Sequence, residues 1–174
     1  MEKHIRKLVV SAMLTAAALI IFVVEAQIPP IVPIPGIKLG LANVVTLAAI
    51  YMVGGRWAVA VHLLRILLGA LFTGQAVSFL YSISGGVVCL IAMLILTALL
   101  PKRWLWLISA IAAVLHAGAQ LIMAAIIMWT KSVLVYSPIV LFSAIVTGIF
   151  TGLCVQLLFK LHPKFLDWAK KQTK

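Results

Sequence analysis

Residues 25–43 read EAQIPPIVPIPGIKLGLAN, and this stretch decides how the chain is organised. It lies between two apolar runs and contains prolines at positions 29, 30, 33 and 35. Proline removes a backbone donor and fixes φ, so the segment cannot form a regular membrane-spanning helix. It is nevertheless apolar between its charged residues, unlike an ordinary water-exposed connection. We predict that residues 25–38 form a stiff outer loop that covers a pocket as a lid.

The rest of the chain has the composition of an integral membrane protein. Of its 174 residues, 65% are hydrophobic and 10% are charged, whereas roughly one quarter are charged in soluble domains. A helix needs about 20 apolar residues to cross a bilayer core of about 30 Å. The chain is therefore predicted to be one all-α transmembrane domain, a bundle of six helices. The predicted spans are residues 8–24, 39–53, 57–72, 77–100, 105–129 and 138–160.

Lysine and arginine predict the orientation of this bundle. Eleven of them lie on one side of the predicted spans and two, Lys38 and Lys131, on the other. Loops rich in these residues stay in the cytoplasm, so both termini are expected there. The net charge of +11 then reflects topology and contact with anionic membrane lipid, and we expect no nucleic-acid partner. The expected location is the bacterial plasma membrane.

The second and third predicted spans are short, at about 22–24 Å each. Gly54 and Gly55 join them on the inner side, so the missing length falls on the outer side, under the proline-rich loop. This arrangement predicts a depression that opens outward. Local thinning of the bilayer around short helices is the alternative.

Polar residues within the spans are the next candidates for function, because each is costly in a bilayer unless it has a partner. Arg65 lies about 12 Å deep in the third span. It either locks the bundle through helix-end carbonyls or balances the charge of an anionic ligand, and the nearby His62 is interpreted as structural. His116 and Gln120 share one face of the fifth span, where they either join helices or line a cavity.

Further polar groups lie at the outer ends of the spans. Glu25 and Lys38 lie at the two ends of the loop, at the rim of the bundle, where they either pair with each other or face a ligand. The predicted substrate-binding residues are Glu25, Lys38, Asn43, Arg65, Tyr81, His116 and Gln120.

Catalytic machinery is missing from the sequence. The three carboxylates, Glu2, Glu25 and Asp167, are far apart, whereas magnesium-dependent diphosphate chemistry needs them clustered. No G-x-x-x-x-G-K-[ST] phosphate loop is present, and Cys89 and Cys154 lack metal-ligand spacing. We predict no catalytic residue, metal or cofactor, and we predict that the chain is not an enzyme. Uphill transport would require a partner ATPase or an ion gradient.

Small residues in two spans permit close helix packing. Ala12 and Ala16 form an A-x-x-x-A pattern on one face of the first span, where a partner helix can approach closely. Gly148 and Gly152 repeat this spacing in the sixth span, and packing within the bundle is their expected role. Ala12 and Ala16 are the predicted partner interface.

Three motifs carry a family resemblance: I-P-x-x-x-P-I-P-G-I-K-L-G-L-A-N at Ile28–Asn43, L-L-R-I-L-L-G at Leu63–Gly69 and S-F-L-Y-S-I-S-G-G at Ser78–Gly86. They are similar to the Gx transporter family, also labelled heptaprenyl diphosphate synthase component I. The six short spans and the long first outer loop resemble the S-components of energy-coupling factor (ECF) transporters, which are substrate-binding membrane subunits.

The resemblance implies a set of partners and a type of ligand. Ala12 and Ala16 match the surface that contacts the ECF transmembrane coupling subunit, which carries two ATPase subunits. The first outer loop would gate a small-molecule substrate, for which the family label suggests a quinone or isoprenoid precursor. The sequence leaves two alternatives open. One is a stand-alone secondary transporter with Glu25 as the candidate for ion coupling, and the other is a non-catalytic membrane subunit that assists a prenyl diphosphate synthase.

The predicted orientation can be tested with single cysteines placed at positions 38 and 102. A membrane-impermeant thiol reagent should label Lys38→Cys from outside the cell, because position 38 lies on the side with few basic residues. It should label Lys102→Cys only after permeabilisation. The reverse pattern would exclude this topology and the outward-facing pocket.

Overall fold

The computed structural model describes residues 2–27 and 38–161 together with Pro163. Residues 28–37, which form most of the predicted lid, lie outside the described residues, as does most of the basic tail after residue 161. Of the described residues, 90% are helical and none is in a strand. The predicted all-α fold is therefore confirmed.

Six α-helices follow one another within the described part of the chain, and two short 3-10 turns precede the last two of them. The helices are α1 Glu2–Ala26, α2 Asn43–Met52, α3 Gly55–Thr73, α4 Ala76–Leu99, α5 Leu105–Ile127 and α6 Ser137–Leu161. The 3-10 turns are Lys102–Trp104 and Lys131–Tyr136.

Five of these helices, all except α2, are long and apolar enough to cross a membrane. The second predicted span, residues 39–53, is a helix of only 10 residues in the structure, about 15 Å long. It begins late because Gly40 has a φ of +79° and interrupts the helix. Six full spans are therefore not supported, whereas α3, with 19 residues, is longer than expected. The cytoplasmic position of both termini stays a prediction.

The helices pack in two connected groups. The first group consists of α1, α2 and α3, and in the second α5 lies between α4 and α6. On α6, a Cβ added at Gly152 would lie 2.5 Å from the Trp106 Cα, and one at Gly148 would lie 2.7 Å from the Ala110 Cα. These glycines bring the backbones of α5 and α6 close together. The G-x-x-x-G motif thus packs within the bundle, as the sequence predicted.

Two apolar clusters fill the interior of the bundle. The larger one draws on all six helices and includes Leu47, Val61, Met93, Ile108 and Val155. The smaller one consists of Tyr81, Ala117, Leu121, Ala124, Val133, Val140 and Ala144. Along α5, the larger cluster ends at residue 112 and the smaller begins at residue 117, and buried His116 lies between them. At this level His116 lies 3.5 Å from the buried side-chain amide of Asn43 on α2.

Gly152→Ala should destabilise the fold, because its Cβ would meet the backbone of Trp106 and Leu105, which cannot rotate away. Overpacking of this kind costs about 1–3 kcal/mol. Gly118→Ala on α5 is the matched control, since a Cβ there meets nothing within 4 Å. Thermal unfolding in detergent should show a clear loss for Gly152→Ala only. Equal stability of the two variants would contradict the close α5–α6 contact.

Candidate functional site

Polar side chains from α1, α2, α3 and α5 meet between the two apolar clusters, and we call this group the polar layer. Each of its side chains is at most 5% exposed. Its members are Glu25, Asn43, Thr46, His62, Arg65, His116 and Gln120. Lys38, which is half-buried, adjoins them from the non-helical segment 38–42. The structure thus brings together six of the seven predicted site residues.

Arg65 links three helices through side chains. Its Nη2 donates a hydrogen bond to the Oδ1 of Asn43 at 3.3 Å. The Asn43 Nδ2 in turn lies 3.5 Å from the Nδ1 of His116. The partner of Arg65 is thus a side-chain amide, where the sequence suggested helix-end carbonyls. Its Nε is buried and has no hydrogen-bond partner within the described part of the chain.

Glu25 ties the end of α1 to the segment 38–42. Its Oε1 accepts a hydrogen bond from the backbone N–H of Gly40 at 2.6 Å, and the backbone of Ala42 also interacts with this carboxylate. Arg65 and Lys38 add electrostatic attraction. Successive N–H groups in such a turn form an anion-binding concavity. Glu25 therefore lies buried at the end of α1, against the segment 38–42.

The left-handed backbone at Gly40 makes this turn possible. Its φ of +79° is one that side-chain-bearing residues rarely adopt. A Cβ at this position would also lie 2.8 Å from the Nδ2 of Asn43. Glycine is therefore required both by the backbone conformation and by the approach of the Asn43 side chain.

Phe22 is a member of the site that sequence reasoning missed. The Nζ of Lys38 lies 3.5 Å from the centre of its ring, and the guanidinium carbon of Arg65 lies 5.9 Å from it. Cations are attracted to the face of an aromatic ring in this way. Gly69 leaves room for the ring, since a Cβ there would lie 2.7 Å from Phe22. The sequence did contain one signal for Phe22, since it lies three residues before Glu25 and therefore on the same face of α1.

The backbone of Lys38 is held from the opposite side of the bundle. Its N–H donates to the Oε1 of Gln120 on α5, although the distance of 3.4 Å makes this a long hydrogen bond. The segment 38–42 is thus attached to α1 through Glu25 and to α5 through Gln120.

Two adjacent glycines on α4 admit the imidazole rings. A Cβ at Gly86 would lie 2.7 Å from the Nε2 of His62, and one at Gly85 would lie 2.9 Å from the Cε1 of His116. The Nδ1 of His62 lies 2.9 Å from the Oγ1 of Thr46. Sequence reasoning missed Thr46 and both glycines. A Gly-Gly pair inside an apolar run indicates such a close approach.

Tyr81 lies outside the polar layer. It is buried in the smaller apolar cluster with Ala117 and Leu121, so the structure does not bring it into the network of the other predicted residues. Ala12 and Ala16 are exposed on α1 and take no part in the buried face of that helix.

A small cavity adjoins the layer. It is lined by Leu39, Gly40, Asn43, Met93, Ser109, Ala113, Thr147, Gly148 and Thr151. It has room for about one water molecule, so a larger ligand at this position would have to displace packed groups. Within residues 2–27 and 38–161, no group of three or more histidine, cysteine, aspartate or glutamate side chains is placed to hold a metal ion.

Together, the fold and the polar layer define a multi-pass, all-helical membrane protein with charged groups buried among its helices. The family model for heptaprenyl diphosphate synthase component I matches residues 14–158. The chain belongs to this family, and the family's description implies association with another synthase component. Comparison with curated proteins and with solved structures gave no match.

Burial lowers the pKa of Lys38 from its ordinary 10.5 to about 8, an effect that Arg65 increases and Glu25 partly offsets. Because the folded state then binds fewer protons than the unfolded chain between these two values, stability from this group rises with pH across that window. The contribution is fully present above about pH 10.5 and is lost as the pH falls through about 8. The difference in thermal stability between the wild type and Lys38→Met should follow this trend. A difference independent of pH would show that Lys38 is well solvated.

Proposed function

We propose that the chain is a non-catalytic, substrate-binding membrane subunit of S-component type, which serves an ATP-driven importer. The main support for this proposal comes from the polar layer. There the guanidinium of Arg65 is buried, and its Nε has no hydrogen-bond partner among the described residues. A buried donor without a partner is costly. A ligand that accepts a hydrogen bond from it would remove that cost.

The chemistry of the layer supports an amphipathic ligand. Binding sites commonly combine apolar walls with a few placed polar groups. Here the apolar clusters would supply the walls, and Arg65, Lys38, Asn43 and Gln120 would orient a polar or anionic head. His116 supports Asn43, and Glu25 holds the segment that carries Lys38. A quinone or isoprenoid precursor is the substrate class that we propose, in keeping with the family's description.

The segment 38–42 is the element that would have to move. The adjacent cavity has room for about one water molecule, whereas sites for small organic molecules are typically about 300–1,000 Å³. Segment 38–42 is non-helical and is held by the hydrogen bonds to Glu25 and Gln120. Release of these two hydrogen bonds would free the segment and open the layer.

A second candidate function is a non-catalytic membrane subunit that assists a prenyl diphosphate synthase. The family's description favours it, because it names one component of such an enzyme. A stand-alone secondary transporter is the third, favoured by the burial of Glu25 beside two cations. Co-purification from the native membrane separates the three. Bound ATPases indicate an importer, a bound prenyl synthase indicates the second function, and a chain that transports alone indicates the third.

Loss of either cation should weaken binding of an anionic isoprenoid ligand. Hydrogen bonds to charged groups contribute about 1.5–3 kcal/mol, which corresponds to roughly 10- to 150-fold in affinity. Lys38→Ala and Arg65→Ala should therefore bind more weakly than the wild type. Ser78→Ala is the control, since its buried Oγ has no hydrogen-bond partner in the described chain and its removal breaks none.

Thermal stability must be measured beside affinity, because Arg65→Ala also removes the bond to Asn43. Unchanged affinity in both folded charge variants would show that the cations are structural and that the ligand binds elsewhere.

The exposed alanines of α1 are the proposed docking face for the coupling subunit. Replacing Ala12 and Ala16 by tryptophan should push a partner helix away and abolish co-purification. Both side chains are exposed, so the isolated protein should keep its thermal stability. Full co-purification of the double variant with its partner subunits would show that these alanines face only lipid.

A further inference from the structure

The charges of the polar layer, counted together with Lys38, do not sum to zero. Two cations, Arg65 and Lys38, face one carboxylate, Glu25, which leaves one net positive charge when the imidazoles are counted as neutral. The loop residues 28–37 read IPPIVPIPGI and contain no charged side chain. That loop therefore cannot change the balance.

The layer contains a free hydrogen-bond donor. The Nε of Arg65, which can only donate, is buried without a partner among the described residues. The carboxylate of Glu25, by contrast, already accepts the N–H of Gly40 at 2.6 Å. The complement of such a site is a group with acceptor oxygens and negative charge.

The size of that charge is limited by the surroundings. An uncompensated charge in an apolar interior is strongly unfavourable, whereas a compensated one is tolerated. One negative charge would neutralise the layer. A phosphate monoester carries about −1.5 to −2 at pH 7, and a diphosphate carries more, so either would leave excess negative charge between the two apolar clusters.

Building on the proposed function, we infer that the polar layer selects a ligand head with a single negative charge, such as a carboxylate, and rejects a diphosphate. Glu25 sets this limit, because its carboxylate neutralises one of the two cations. Glu25 thus acts as a specificity-determining residue by tuning the charge of the site, without having to touch the ligand.

Four probes that share one hydrocarbon tail test this inference: farnesol, farnesoic acid, farnesyl phosphate and farnesyl diphosphate. Binding is measured on the full chain in lipid nanodiscs, and empty nanodiscs give the contribution of membrane partitioning. The acid should bind at least about tenfold more tightly than the alcohol and the diphosphate. If the diphosphate binds as tightly as the acid or more tightly, or if the alcohol binds as tightly as the acid, the inferred charge limit is overturned. The proposal that the chain binds an isoprenoid ligand would still stand. If none of the four binds, the proposed function fails as well.

Substitution of Glu25 tests its role directly. Glu25→Gln raises the net charge of the layer by one, so affinity for farnesyl phosphate should rise at least about tenfold relative to farnesoic acid. Glu2→Gln, the same substitution at the other end of α1, is the control and should change neither affinity. An unaltered preference in folded Glu25→Gln would overturn the assigned role.

Lys38→Gln provides an independent variant in case Glu25→Gln does not fold. Lys38 is half-buried on a non-helical segment, so its replacement changes no residue inside a helix. The substitution removes one cation and brings the net charge of the layer to zero. Affinity for farnesoic acid should fall at least about tenfold relative to affinity for farnesol. Retention of the preference for the acid would overturn the inference.

Discussion

The burial of Arg65 is the constraint on which the rest of the interior depends. A guanidinium that is 4% exposed between two apolar clusters must find compensation, since a charge at the centre of a membrane helix costs about 2.5–3.5 kcal/mol even by insertion scales. Asn43 accepts a hydrogen bond from it, Glu25 supplies opposite charge, and the ring of Phe22 lies within reach. These three residues come from α1 and the start of α2. The need to compensate one cation therefore fixes how the first three helices meet.

The short second helix belongs to the same network. Because residues 38–42 are not helical, the N–H groups of Lys38 and Gly40 donate to Gln120 and Glu25. Backbone polar groups that are buried outside a helix need other hydrogen-bond partners. The segment 38–42 meets that condition through side chains from α5 and α1, and it carries Lys38 to the layer as a result.

Much of this arrangement was predictable from the sequence, but the parts that rest on backbone detail were not. The length of the apolar runs predicted the long helices. The cost of exposing polar groups to lipid correctly predicted that Arg65, His116 and Gln120 face the interior. The start of α2 was not predictable in this way, because residues 39–42 are as apolar as the helix that follows and only the φ of Gly40 separates them. Phe22 escaped notice because an aromatic residue in a membrane span carries no signal that distinguishes a cation partner from a packing residue. Tyr81 was assigned to the site for its hydroxyl, yet its ring packs among apolar residues.

Helix α1 presents two faces with separate roles in this scheme. Its buried face repeats at helical spacing through Ser11, Thr15, Ala18, Phe22 and Glu25, each at most 7% exposed. Ala12 and Ala16 lie off that stripe and are exposed. Substitutions at the two alanines therefore leave the contacts of Phe22 and Glu25 unchanged, and changes at Glu25 leave the exposed face unchanged. Under the proposed function, partner association and ligand selectivity would therefore depend on different residues of one helix, and a variant that loses both would have lost the packing of α1 itself.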